Sequence, residues 1–266
     1  MVKVTARIKE IQQPRGGYLP PKSFLVKQLE NKSALAATEN IHPSLIGLAV
    51  DYMTRAISSG NIENAFSISL RGAALIGEMA HARSLLKKLE PFIAATGKTP
   101  NLWHDAVTAA CQLSGYDVCF RAGSALYTKP VQDIAPDKDT INNVKLMVER
   151  SMSFFAQYGP VVQDGVIFSF EAFSSVVTSG DGDFATADTL WDFKVSKAEP
   201  TKDHTLQLLM YWIMGQRCNG AKFAYFKNLT RLGVFNPRLN KVYTLDISDI
   251  SPQIIQEVEN DVLCYE

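Results

Sequence analysis

Residues 179–197, "SGDGDFATADTLWDFKVSK", decide how the second half of this 266-residue chain is read. Side chains at i and i+2 of a strand point the same way. Trp191, Phe193 and Val195 therefore make one apolar face, and Asp192 and Lys194 share the other. With a two-residue turn at Ala187-Asp188 the stretch folds into a hairpin, Thr186 pairs with Thr189, and Asp183 falls opposite Asp192. Opposed Cβ atoms on neighbouring strands lie about 5 Å apart, so two carboxylates placed that way repel. Two readings follow. Either the face is solvated and the Asp192–Lys194 pair is incidental, or a divalent cation offsets the repulsion. Mg²⁺ is held by one or two carboxylates, with water and phosphate completing its shell. In that second reading Lys194 reaches a phosphate oxygen or an attacking water beside the metal and supplies fixed positive charge. Ala-Asp is not a favoured tight-turn pair, and a longer loop or a bulge would shift the register.

Working outward, "EPTKDHTLQLLMYWIMG" follows the hairpin. Its Leu206, Leu209, Met210 and Ile213 form one apolar helical stripe, with Thr201 or Asp203 able to cap the start and Gly215 the end. "AKFAYFKNL", "RLGVFN" and "KVYTLDIS" read as further strands and "PQIIQEVENDVLCY" as a closing helix. Upstream of Gly159 the pattern is helical. A helix opens at Pro43 in "IHPSLIGLAVDYMTRAI", two more fill "NIENAFSISLRGAALIGEMAHARSLLKKLEPF", and two lie around "NLWHDAVTAACQLSGY" and "KDTINNVKLMVERSMSFFAQYG". Helices, then strands, one helix and more strands describe an α/β (α+β-like) fold with its sheet drawn mainly from the C-terminal half.

Composition narrows the class. Hydrophobic residues make up 46% and charged residues 20%, ordinary for a water-soluble domain. No apolar run approaches the ~20 residues of a membrane helix. "MVKVTARIKE" lacks a signal-peptide core, which makes a cytoplasmic protein without membrane attachment the expectation. Cys111, Cys119, Cys218 and Cys264 are scattered, which argues against zinc or iron–sulfur ligation and for reduced thiols. The formal net charge is zero, yet Trp191 to Lys241 carries nine Lys/Arg against three acids. Such a local excess suits a polyanionic partner.

The ordered set Gly180-x-x-Asp183, Asp192-Phe193-Lys194 and Gln207-x-x-x-Tyr211 resembles the PD-(D/E)xK nuclease superfamily, closest to its RecB-like exonuclease branch. The resemblance covers residues 165 to 230. It implies a restriction-endonuclease-like core, a central mixed sheet flanked by helices, in one nuclease domain over 1–266. Residues 62–158 would be a helical insertion and 160–266 the sheet-rich catalytic half. It also implies exonuclease-like hydrolysis of DNA, with RNA left open and oligomeric state undefined. Asp183, Asp192 and the Phe193 carbonyl would bind Mg²⁺ or Mn²⁺, Lys194 would be catalytic, and Gln207 and Tyr211 would orient the site or touch DNA. More loosely, Asp51 after Gly47 matches an acid on an early core helix, and His204 lies one turn before Gln207 on the same stripe. Glycine stands where the family name expects proline before Asp183, and no GxxxxGK[ST] motif accompanies the site. The alternative reading is a nucleic-acid-binding protein that keeps the fold without useful catalysis.

Overall fold

The computed structural model describes residues 2–95 and 102–265. The chain divides into two compact units, Met1–Glu30 with Phe154–Glu266, and Asn31–Ser153. In chain order the elements open with β1 (Val2–Lys3), α1 (Val4–Glu10) and β2 (Leu25–Gln28). The helices α2 (Pro43–Ser59), α3 (Ile62–Ala65), α4 (Ser67–Leu75), α5 (Met79–Ala94), α6 (Trp103–Ser114), α7 (Asp117–Arg121) and α8 (Lys138–Tyr158) follow. The chain then runs through β3 (Val161–Ile167), β4 (Val177–Ser179), β5 (Asp181–Thr186), β6 (Thr189–Phe193), α9 (Lys202–Arg217), β7 (Arg231–Asn236), β8 (Lys241–Asp246) and α10 (Pro252–Glu257). This is the mixed α/β class that the order of apolar patterns predicts.

In the helical unit, α2 begins at Pro43 because a missing N–H costs nothing in a first turn. Its buried face, Ile46, Ala49, Val50 and Met53, packs on α3 and α6. The segment before it is tied to α8, with the Ala36 N–H donating to Asn143 Oδ1 at 2.7 Å and the Asn40 N–H to Thr140 Oγ1 at 3.0 Å. Those bonds are why the unit opens at Asn31, where the sequence reading begins the helical insertion at 62. The stretch read as two helices from Asn61 is three, α3, α4 and α5.

In the other unit, six strands form one sheet in the order β2-β8-β7-β6-β5-β3, antiparallel except for the parallel β6–β7 pair. Helix α9 is the crossover joining that pair, which a parallel connection requires. One side of the sheet packs against Leu206, Leu209, Met210 and Ile213 of α9, the stripe expected from sequence. Trp191, Phe184 and Phe235 form a second cluster with Phe154 of the last turn of α8. Phe154 stacks on Phe235 at 4.1 Å and meets Trp191 edge-on at 4.9 Å. Strand β6 is thus enclosed on both faces.

"AKFAYFKNL" is not a strand; Ala221–Asn228 is a 3₁₀ helix. Residues three apart eclipse in that geometry, so Phe223 and Phe226 turn inward together. Among the described residues, no helix is long and apolar enough to cross a membrane.

Candidate active site

The hairpin joins β5 to β6 through Ala187-Asp188, with rungs Phe184↔Trp191 and Ala185↔Leu190 at the expected offset. Among the described non-glycine residues only Asn240 and Cys264 have positive φ, so this is not the primed turn that short hairpins favour. Long-range bonds hold it instead. The Asp188 carbonyl accepts the N–H groups of Thr230 at 2.8 Å and Arg231 at 3.1 Å, and the Arg231 guanidinium lies 3.5 Å from the Asp188 carboxylate.

Beyond Phe184↔Trp191 the ladder stops. Asp183 accepts the Phe193 N–H through Oδ2 at 2.6 Å, so a side-chain bond replaces the direct Asp183–Asp192 rung expected from the register. A carboxylate facing a main-chain donor is favoured over one facing another carboxylate. Asp192 is only 3% exposed, which excludes the solvated-face reading of β6. Its Oδ1 lies 3.0 Å from Lys194 Nζ, while its Oδ2 is buried with no hydrogen-bond partner. Lys194 Nζ also donates to Gln207 Oε1 at 3.4 Å, and Gln207 Nε2 donates to the Tyr211 hydroxyl at 2.9 Å. Five of the sequence-predicted residues, Asp183, Asp192, Lys194, Gln207 and Tyr211, therefore meet within one unit.

The glycines of "GDGD" make this meeting sterically feasible. A Cβ on Gly180 would sit 2.9 Å from Cε1 of Tyr211, and one on Gly182 would sit 3.0 Å from Val166 and 3.6 Å from the Tyr211 ring. The start of α9 is fixed by Gln13, which donates to Asp203 at 2.6 Å, and by the Thr205 hydroxyl, which donates to the Leu19 carbonyl. Sequence reasoning missed the anchors of the loop between Lys194 and α9. Asn236 Nδ2 donates to the Ser196 carbonyl at 2.9 Å, and Glu199 receives Lys241 Nζ and the Tyr243 hydroxyl. No local pattern signals these contacts.

Burial alone would lower the Lys194 ammonium, but the Asp192 and Asp183 charges outweigh it and hold the group above the usual lysine range. Lys194 is thus a fixed cation at neutral pH. Burial, reinforced by the same two carboxylates, pushes the Tyr211 phenol up to about 12. Much of the local basic excess is answered by acids, with Arg231 on Asp246 and Asp188, Arg217 on Glu259 and Lys241 on Glu199.

Asp51 lies half-buried on α2, in the helical unit. His204 caps α9: its Nδ1 accepts the Thr201 N–H at 3.1 Å, completing a capping box with the Thr201 side chain. Burial, then the Lys194 charge, lowers the His204 pKa. A histidine depressed in the folded state contributes stability above its unfolded value of 6.5, lost as pH falls through the folded value. Urea midpoints are expected to fall from pH 7.5 towards pH 5. His204→Gln, which keeps a capping side chain and does not titrate, is expected to show a shallower fall; an identical pH slope in both proteins would remove His204 from the account.

For a divalent ion, the unpartnered Asp192 Oδ2 is the observation that fits, since a buried carboxylate oxygen without a donor calls for a cation. Asp183 is brought to the same strand end by its bond from the Phe193 N–H. Among the described residues no three His, Cys, Asp or Glu side chains converge, so an ion here would take most of its shell from water and substrate, as Mg²⁺ tolerates. No family model, curated protein or solved structure matches the chain.

Proposed function

We propose that the sheet-bearing unit is a metal-dependent nuclease with a restriction-endonuclease-like core, hydrolysing DNA phosphodiester bonds in an exonuclease-like manner. The observation that supports this reading is Asp192, enclosed yet half-satisfied, with the Lys194 ammonium on one oxygen and no hydrogen-bond partner on the other. Asp183, Asp192 and the Phe193 carbonyl would hold Mg²⁺ or Mn²⁺. A bound divalent ion supplies charge to a phosphoryl oxygen and lowers the pKa of bound water.

The chain's own groups do the rest. In the metal-free protein the Asp192 and Asp183 charges hold Lys194 above the usual lysine range, and its role beside the ion would be a positive charge for a phosphate oxygen. Gln207 receives Lys194 and donates to Tyr211, which restrains the ammonium beside Asp192. Tyr211 stays a neutral phenol at working pH, so it orients Gln207 instead of acting as a nucleophile.

The test is hydrolysis of end-labelled linear and closed-circular single-stranded DNA, duplex DNA and single-stranded RNA, with Mg²⁺, Mn²⁺ or EDTA. Wild type is expected to degrade linear DNA with metal, spare circles and fail in EDTA, while Asp192→Ala is inactive. Cleavage of circles would overturn the exonuclease-like part, and preference for RNA the substrate. Equal cleavage by Asp192→Ala would sink the catalytic reading. Salt-sensitive DNA binding without any metal-dependent cleavage would establish the alternative, a binding protein on the same fold.

A further inference from the structure

The helical unit contains a cavity of about 820 Å³ that the proposed reaction does not involve. Organic-ligand sites of that size have mainly apolar walls and a few fixed polar groups. Here the apolar wall comes from Leu45 and Leu48 of α2, Val118 of α7, and Leu126. The polar part is built around Asp117, which is 2% exposed. Its Oδ1 accepts the Ser69 hydroxyl at 2.6 Å, and its Oδ2 accepts the Tyr52 hydroxyl at 2.6 Å and Arg121 Nε at 3.1 Å. Arg121 Nη2 in turn donates to the Tyr52 hydroxyl at 3.1 Å.

The consequence is a guanidinium clamped in one orientation at the cavity wall. The Arg121 side chain is 52% exposed, and its Nη1 has no protein acceptor among the described residues. Lys129 lines the same cavity, and Asp117 is the one carboxylate in the described lining. Two cations against one anion leave a single positive charge in excess. Asp117 already accepts three donors, so its capacity is largely taken. A planar fork of N–H donors held by a buried network is suited to a carboxylate or phosphate oxygen pair.

We infer that this cavity binds an organic monocarboxylate, with Arg121 and Lys129 taking the carboxylate and the Leu45, Leu48, Val118 and Leu126 wall taking an aliphatic tail. One excess charge matches a monoanion, and the branched aliphatic lining matches an alkyl body. The inference stands independently of the nuclease reading, since every residue it uses lies in the helical unit.

Isothermal titration of the full chain with octanoate tests it. One site is expected, with 1-octanol and acetate each binding at least about tenfold more weakly, because the first lacks the charge and the second the tail. Arg121→Gln removes the partner of a buried carboxylate and can unfold the unit, so two exposed positions carry the mutational arm. Lys129→Gln and Leu126→Glu are each expected to weaken octanoate by about tenfold with an unchanged unfolding midpoint. Octanol binding as well as octanoate, no octanoate binding at millimolar concentration, or wild-type affinity in both variants would overturn the proposal. Tighter binding of octyl phosphate than of octanoate would overturn the choice of carboxylate.

Discussion

Lys194→Met is expected to cost about 3–5 kcal/mol of folding stability in metal-free buffer, the cost of stranding one member of a buried ion pair. The Asp192 side chain is 5% exposed and its Oδ2 already lacks a partner, so removing Lys194 leaves the whole charge uncompensated. The Lys194 side chain is 25% exposed and is coupled to Asp183 as well, so the converse change, Asp192→Asn, is expected to cost much less. The double variant should recover most of the loss, because the penalty resides in the unpaired charge. Mg²⁺ or Mn²⁺ should raise the urea midpoint of Lys194→Met more than that of wild type, since an ion binding the folded carboxylates stabilises by mass action. Because the folded Lys194 value is raised, wild type keeps this contribution below the ordinary lysine value of 10.5 and loses it only as pH climbs through the folded value. Hydrolysis by Lys194→Met is expected to fall by about 10²–10³-fold, as when one fixed electrostatic donor is removed. A Lys194→Met protein as stable as wild type, with no response to divalent ions, would dismantle both the buried pair and the metal site.

The same residues mark what a local pattern reveals and what it leaves out. The hairpin offset followed from strand alternation and a turn position, and the α9 stripe followed from helical spacing; both depend on residues a few positions apart. Whether Asp192 faces water depends on α9 and the β7 strand beyond it, which pattern reading does not place. Its burial, and the turn bonds from Thr230 and Arg231 that make Ala-Asp workable, are long-range facts. Asp183 was identified as a site residue, but its bond to the Phe193 N–H was not, because the register treats side chains as pointing cleanly up or down. Thr201 is legible as a cap of α9, whereas its reciprocal bond with His204 is not, because the partner at that position of a capping box is ordinarily Glu or Gln. The Ala221–Asn228 pattern suggests a strand because aromatic and alanine residues at mixed spacing fit a strand and a 3₁₀ turn equally well. The first strands, β1 and β2, are two and four residues long and carry almost no pattern of their own.

Trp191→Ala is expected to destabilise the fold by about 3–5 kcal/mol, the range for emptying a buried aromatic site. The indole is 2% exposed, touches Phe154, Tyr158 and Phe184, and donates from Nε1 to Thr186 Oγ1 at 3.0 Å. It also lies over Gly233, its direct rung on the parallel strand β7. A Cβ on Gly233 would sit 2.3 Å from Cε3 of the indole, so Gly233→Ala must displace either the ring or the strand. Overpacking of that kind costs about 1–3 kcal/mol. In the Trp191→Ala background the same change should reverse sign, because the obstruction is gone and alanine in a strand interior is favoured over glycine by about 0.5–1 kcal/mol. Urea unfolding of the four proteins in this cycle gives the coupling directly. Additive costs would mean that Gly233 is not there to admit the indole. The cycle also bears on the site, since Trp191 and Asp192 are adjacent on β6 and point to opposite faces. A ring displaced by Gly233→Ala is expected to shift the strand that carries Asp192 and leads into Lys194, so hydrolysis is expected to fall further than the loss of folded protein accounts for.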